Sequence, residues 1–352
     1  MNASLLHGRH NSRCARALSL LMVWCALALA ATTTLAQEKQ VKVDESLADR
    51  KGAILASGNE AEVKDFLQKY YLARWTVRAN SRDIIKYRQE LETDAVSLSG
   101  QAQQTFLKLV VATLRSYAGS KDVYPACRYN AVLAIGSLNE ANGADRNSLP
   151  TPYAGAISTL ANIVKSTNEV PDYVRLGALI GLVRHAEVGI KDEKNLSGVK
   201  SIFASVLDSK YKTEKGLRDD VYEWFQMKAL QGLASFKSPS GSKGGTGTLD
   251  LFKSIIDDED QNFELRCEAA RAIGEMNLND LKSDYLLALG KSLVTLARDF
   301  CLDEMSYIDS ELVRDSIKSS ANSMGGGLGG GMGGSMGGGM GSLGGGMDSM
   351  GG

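Results

Sequence analysis

Apolar and polar positions along the chain fall into one pattern that is written four times: CRYNAVLAIGSL from Cys127, VRLGALIGLVRH from Val174, FQMKALQGLASF from Phe225 and LRCEAARAIGEM from Leu265. With Arg128, Arg175, Gln226 and Arg266 as position zero, the copies are offset by 47, 51 and 40 residues. The position before zero is always apolar (Cys127, Val174, Phe225, Leu265), and the third after it is always alanine (Ala131, Ala178, Ala229, Ala269). The sixth is minimal (Ala134, Gly181, Gly232, Ala272) and the seventh is Ile or Leu (Ile135, Leu182, Leu233, Ile273). Apolar residues at −1, +3, +4 and +7 follow the 3.6-residue period of a helix with one buried stripe. The Ala/Gly column marks the line where another backbone comes too close for a larger side chain.

A unit of 40–50 residues holding two helices is the signature of an α-solenoid. The phrase R-x-x-A-x-x-A-I-G-x-L, carried by Arg128 to Leu138 and with Met for Leu by Arg266 to Met276, resembles the second helix of HEAT and HEAT-like repeats. The resemblance covers roughly residues 101–300; it departs from the pattern at His185 and Phe236, where the final Leu is missing, and at Gln226, where the Arg is missing. It implies that Arg128, Arg175 and Arg266 serve the ladder between repeats rather than a ligand.

The flanking pattern is helical too. Between Gln37 and Gly100, Asn59 caps a helix through Val63, Phe66, Leu67, Tyr70 and Trp75, with Glu60 and Glu62 in its first turn, and a second helix starts near Ser81. An open stack leaves its first apolar face wet, so this segment is expected to cap it, with the aromatics in the core. The helix pairs then run QAQQTFLKLVVATLRSYAG and Tyr124 onward, Tyr153–Ser166 and Pro171–His185, Leu196–Asp208 and Arg218–Phe236, and Leu249–Ile256 and Phe263–Met276. The Gly-rich insertion Ser238 to Thr248 reads as a flexible surface loop; it lacks the phosphate-loop spacing and a preceding strand. Tyr285–Phe300 and Glu304–Ser320 are predicted as two further helices, the second closing the far end of the stack. From Met324 the chain becomes a Gly/Met-rich tail that cannot offset its backbone entropy and is expected to be disordered.

Residues 1–36 read as a secretory signal peptide: Arg9, Arg13 and Arg16 precede an apolar run from Ala17 to Ala31, and Thr34-Leu35-Ala36 offers a cleavage site. The run is shorter than the roughly 20 residues needed to span a bilayer. An exported chain, periplasmic or secreted, with no transmembrane segment after cleavage is therefore expected. Cleavage leaves 37 basic against 41 acidic residues, with neither the basic excess nor the patch that nucleic-acid binding requires.

Candidate chemistry is sparse. Cys127, Cys267 and Cys301 have no C-x-x-C spacing, so neither a disulfide framework nor a zinc site is encoded, and the acidic turn Asp257–Asp260 lacks calcium-loop ligands. His185 is the single histidine after the signal peptide; it sits where a helix should end, a position that favours imidazolium. No nucleophile motif accompanies it, so no catalytic residue, metal site or cofactor is assigned. The expectation is an all-α chain: an α-solenoid of about four to five HEAT-like helix pairs with helical caps at 37–100 and 301–323, and a disordered tail from 324. It would act as a non-catalytic scaffold for protein partners. If the apolar columns are buried, the far side of each second helix carries Asn130, Arg184, Lys228, Arg271 and Glu275, the candidate partner contacts. The alternatives are Cu(I) handling by the Met-rich tail, whose thioethers suit that ion, and, more remotely, a carboxylate-based enzyme.

Overall fold

The computed structural model describes residues 42–145, 148–166, 170–242 and 244–324, with 317–324 as backbone alone. The expected signal peptide and almost all of the Gly/Met tail lie outside these residues. The described chain is all-α apart from one small ribbon and an isolated bridge in a loop. By packing it divides into two units, one ending at Leu293 and the other beginning at Val294.

The first unit opens with α1 (Lys51–Ser57) and α2 (Glu60–Phe66). Asn59 caps α2 as expected, its Oδ1 accepting from the Ala61 and Glu62 amides at 3.0 and 3.3 Å. The helix does not run on regularly to Trp75. A π-helical turn, Leu67–Tyr71, intervenes before the single-turn α3 (Ala73–Thr76). The cause lies in spacing: Phe66 and Leu67 recur as Tyr71 and Leu72 five residues on, and all four are at most 1% exposed. A 3.6-residue turn cannot put both pairs inside, whereas an i→i+5 turn can, and the Leu72 amide donates to the Leu67 carbonyl at 2.9 Å. Tyr71 and Trp75 are fully buried, so these aromatics are core.

Helix α4 (Ile84–Ser97) completes this segment. The Arg74 guanidinium stacks over the rings of Tyr70, Tyr71 and Tyr87 at 4.6–5.1 Å and bonds to Glu90 at 3.1 Å. Lys51 bridges Glu90 and Asp94 at 2.8 and 2.6 Å, and the Tyr71 hydroxyl donates to Asp94. These partly buried charges are all paired, which is what lets them sit against the aromatic core.

Helix pairs follow: α5 (Gly100–Gly119) with α6 (Pro125–Ser137), and α7 (Gly155–Lys165) with α8 (Asp172–Val188). The third pair is α9 (Glu193–Leu207) with α11 (Asp219–Ala234), separated by the short α10 (Ser209–Lys215); the fourth is α12 (Gly247–Asp257) with α13 (Phe263–Gly274). Pro125 occupies the first turn of α6, where its missing amide hydrogen costs nothing. The second helices pack in chain order, α6 on α8, α8 on α11 and α11 on α13; among the first helices α5 packs on α7 and α7 on α9.

The apolar columns are buried, except that Ala270 at +4 of the fourth copy is half-buried. The −1, +3 and +7 residues are 0–2% exposed in every copy, and Ala134, Gly181, Gly232 and Ala272 are buried as well. The small column has the meaning its size suggests: a Cβ on Gly232 would lie 2.4 Å from the Phe203 ring of α9. Thus Gly232 is the space into which a 0%-exposed phenylalanine fits.

Three features depart from expectation. Asn139–Ala141 and Thr151–Pro152 pair as an antiparallel two-stranded ribbon between α6 and α7, in a stretch whose prolines signal only a boundary. The described part of the Ser238–Thr248 loop is tied down rather than loose. Its Ser240 and Ser242 carbonyls accept from Lys200 and Ser197 of α9 at 3.1 and 3.0 Å, and the Pro239 carbonyl accepts from the Thr248 and Leu249 amides. Finally, the two C-terminal helices are one, α14 (Ser283–Met324). No Gly or Pro separates Phe300 from Glu304, so nothing stops the first helix. In the first unit α14 buries Leu289, and its Tyr285 hydroxyl donates to Asp250 at 2.6 Å. In the second unit Met305, Ile308, Leu312 and Val313 are 52–64% exposed.

Candidate functional site

Position zero of the repeated phrase is structural. Arg128 Nε donates to the Ala118 carbonyl at 3.0 Å, and Arg266 Nε donates to the Ile256 carbonyl at 2.9 Å. Both bonds reach ten residues back, to the last turn of the first helix of the same pair. That carbonyl has no N–H donor within its own helix, so the guanidinium satisfies a group the helix leaves orphaned. Arg175 instead reaches forward, with Nη2 at 3.3 Å from the carbonyl of Lys215, the last residue of α10, and 2.5 Å from Asp172. Gln226 likewise reaches Gln261 of the following pair at 3.2 Å. Two copies therefore clamp their own pair and two tie one pair to the next.

The five residues expected on the outer face do not form one patch. Asn130 turns back to its own helix, Nδ2 donating to the Ala126 carbonyl at 2.9 Å. Arg184 is half-buried and serves the fold: Nη1 donates to the Gly136 carbonyl at 3.0 Å and Nη2 to Asn139 Oδ1 at 2.6 Å. Burial lowers its pKa below the ordinary arginine value, opposed by the nearby Glu92 and Glu187 carboxylates. The other three come together. Arg271 and Glu275 line an open groove of about 420 Å³ with Glu187 of α8, Gln231 of α11, and Ser235 and Lys237 just after it. Lys228 reaches its edge by donating to Gln231 at 2.9 Å. Arg271 is held by Glu268 at 2.6 and 2.8 Å and by Glu275, contacts that raise its pKa further.

Lys237 adds a signal that no spacing rule gives. Among the described residues it is the one non-glycine with positive φ, at 48°. That conformation costs a lysine about 1–2 kcal/mol and persists only where the surroundings impose it.

Compared with protein-family models, curated proteins and solved structures, the chain matches none. The site must therefore be read from its own chemistry. No group of three or more His, Cys, Asp and Glu able to hold a metal occurs among the described residues. Cys127 is fully buried and its thiol is pushed up to about 12 by burial, which makes it a small hydrophobe. Cys267 and Cys301 are free thiols.

A second concavity was not expected. About 360 Å³ lies beside the ribbon, walled by Leu149, Pro150, Pro152, Ile157, Ile190 and His185. The expectation of a protonated His185 at a wet helix end does not hold. Helix α8 continues to Val188, so His185 is 2% exposed, and its Nε2 has no hydrogen-bond partner. Burial, followed by the neighbouring Arg184 charge, pushes its pKa down to about 4, so the imidazole is neutral at pH 7. Glu140 and Asp192 also line the space, but Asp192 is engaged in capping α9, accepting from the Asn195 amide at 2.7 Å.

Proposed function

We propose that this chain is an exported α-solenoid of HEAT-like helix pairs that works, without catalysis, as a scaffold for another protein. The observation that carries the reading is the succession of second helices α6, α8, α11 and α13, each packed on the next. Surfaces made this way repeat along one direction and suit extended partners.

The contact face is the open groove across α8, α11 and α13. Its charges are mixed, with Glu187, Glu268 and Glu275 against Lys237 and Arg271, so the partner carries both signs along one ridge. Exposed ion pairs contribute little to stability, and exchanging Arg271's intramolecular partners for intermolecular ones therefore costs little. The strained Lys237 backbone at the rim is consistent with a conformation kept for binding.

The test is site-specific photocrosslinking in the cells that make the protein. A photoreactive residue at Ser235 or Lys237 in the groove is compared with one at Lys121, an exposed position in the α5–α6 turn. The reading stands if one protein is captured from both groove positions and lost from each on Arg271→Ala. Equal capture from Lys121, or none from the groove, removes it.

A further inference from the structure

We propose that the cavity between the Asn139–Ala141/Thr151–Pro152 ribbon and the end of α8 binds a small neutral molecule with an apolar body and one hydroxyl group, the hydroxyl meeting His185.

Size and lining select the apolar body. Engineered apolar cavities of about 150 Å³ hold benzene, and natural ligand pockets start at about 300 Å³. A space of about 360 Å³ walled by leucine, isoleucine and proline thus has room for a two-ring molecule. The proline rings, Pro152 on the ribbon and Pro150 just before it, present flat and pre-ordered apolar faces, so little side-chain entropy is lost on binding.

The polar group follows from the imidazole. A buried nitrogen without a partner has lost its water without replacement, at a cost of about 1–3 kcal/mol. His185 lines the space but Nε2 itself is closed off from solvent, so a ligand hydroxyl supplies the missing bond and recovers that cost when the imidazole turns about its Cβ–Cγ bond. In neutral histidine Nε2 is a donor or an acceptor according to tautomer, and a hydroxyl group satisfies either, whereas a carbonyl satisfies only one.

Charge excludes the other classes. A bound carboxylate would need an imidazolium, which burial and Arg184 both oppose, and would also face Glu140 and Asp192 on the lining. A cation would meet Lys191, which lines the space, and the Arg184 charge that acts on His185. Entry is open: Leu149, Ala154, Gly189 and Lys191 all line the space and are exposed.

The experiment uses the full chain labelled with ¹⁵N at histidine, with 2-naphthol as the probe and 2-methylnaphthalene, which has the same rings without the hydroxyl, as its control. Binding is read by probe fluorescence and by the His185 imidazole ¹⁵N signals, assigned with His185→Leu. We expect saturable binding of 2-naphthol that moves the His185 signals, and about tenfold weaker binding of the control. His185→Leu should reduce 2-naphthol to the level of the control. Ala154→Trp, at an exposed position on the mouth, should block both probes while leaving the circular dichroism and unfolding temperature unchanged. The proposal is overturned by equal affinity for the two probes, by binding that survives Ala154→Trp, or by no saturable binding of 2-naphthol up to its solubility limit.

Discussion

Gly136 of α6 and Gly181 of α8 lie backbone against backbone: a Cβ built on Gly136 would stand 2.6 Å from the Gly181 Cα. No rotamer change relieves a clash with main chain, so Gly136→Ala must push two packed helices apart. Overpacking of this kind costs about 1–3 kcal/mol. Gly290 is the control, inside α14 with nothing within 4 Å of its Cβ position. There alanine should stabilise by about 0.5–1 kcal/mol through helix propensity and a less flexible unfolded chain. Thermal or denaturant unfolding of the two variants should shift in opposite directions.

The arginine clamp makes a second prediction. Arg128→Met and Arg266→Met keep the apolar stem but leave the Ala118 or Ile256 carbonyl without its buried donor. Each should lose about 1–3 kcal/mol in a denaturant titration, and lysine should not restore it, because one ammonium on a flexible stem does not reproduce the Nε geometry. Wild-type stability for both methionine variants would show that the clamp is incidental.

Arg184 and Arg271 share the outer helix face in sequence-based expectation and should separate in the test tube. Arg184→Ala removes bonds to Gly136 and Asn139 from a half-buried site and should destabilise by about 1–3 kcal/mol. Arg271→Ala breaks exposed ion pairs and should stay within about 0.5 kcal/mol of the parent while weakening partner capture. Equal destabilisation by the two would mean that the groove charges hold the fold and are not free for a partner.

His185 sets a pH dependence with a definite sign. Its folded pKa is depressed to about 4 from an ordinary 6.5, so across that window the unfolded chain binds a proton that the folded chain refuses. Stability from this group is complete above pH 6.5, falls as pH drops toward 4, and loses no more below it. The total is at most about 3 kcal/mol. Glu140, Asp192, Arg184 and Lys191 near the site are present in both proteins of the comparison, so the difference between wild type and His185→Leu isolates the imidazole. A difference that does not change between pH 7 and 4.5 would contradict a neutral buried His185.

The exposed apolar residues of α14 give a fifth expectation. Ile308→Asp and Leu312→Asp fall on side chains that are 52% and 64% exposed and should leave the unfolding midpoint of the monomer within about 0.5 kcal/mol. A large loss would reveal burial against a partner or a second copy in solution.

The sequence by itself determined the repeated elements. Periodicity depends only on spacing, and burial of one stripe per helix follows from the 3.6-residue turn, so Ala131, Ala178, Ala229 and Ala269 were legible as core from their columns alone. Capping by Asn59 and the place of Pro125 were legible for the same local reason. Tertiary structure decided whatever depends on residues far apart in the chain. The widened turn at Leu67–Tyr71 follows from which aromatics must be inside together. Arg184 became a strut because Gly136 and Asn139, 48 and 45 residues earlier, present their oxygens to it. The cavity at His185 exists because the ribbon that carries Pro152, with Pro150 just before it, returns beside the end of α8. A helical wheel places His185 at a wet terminus; three more residues of helix and a neighbouring ribbon bury it, and burial rather than residue type fixes the imidazole as neutral.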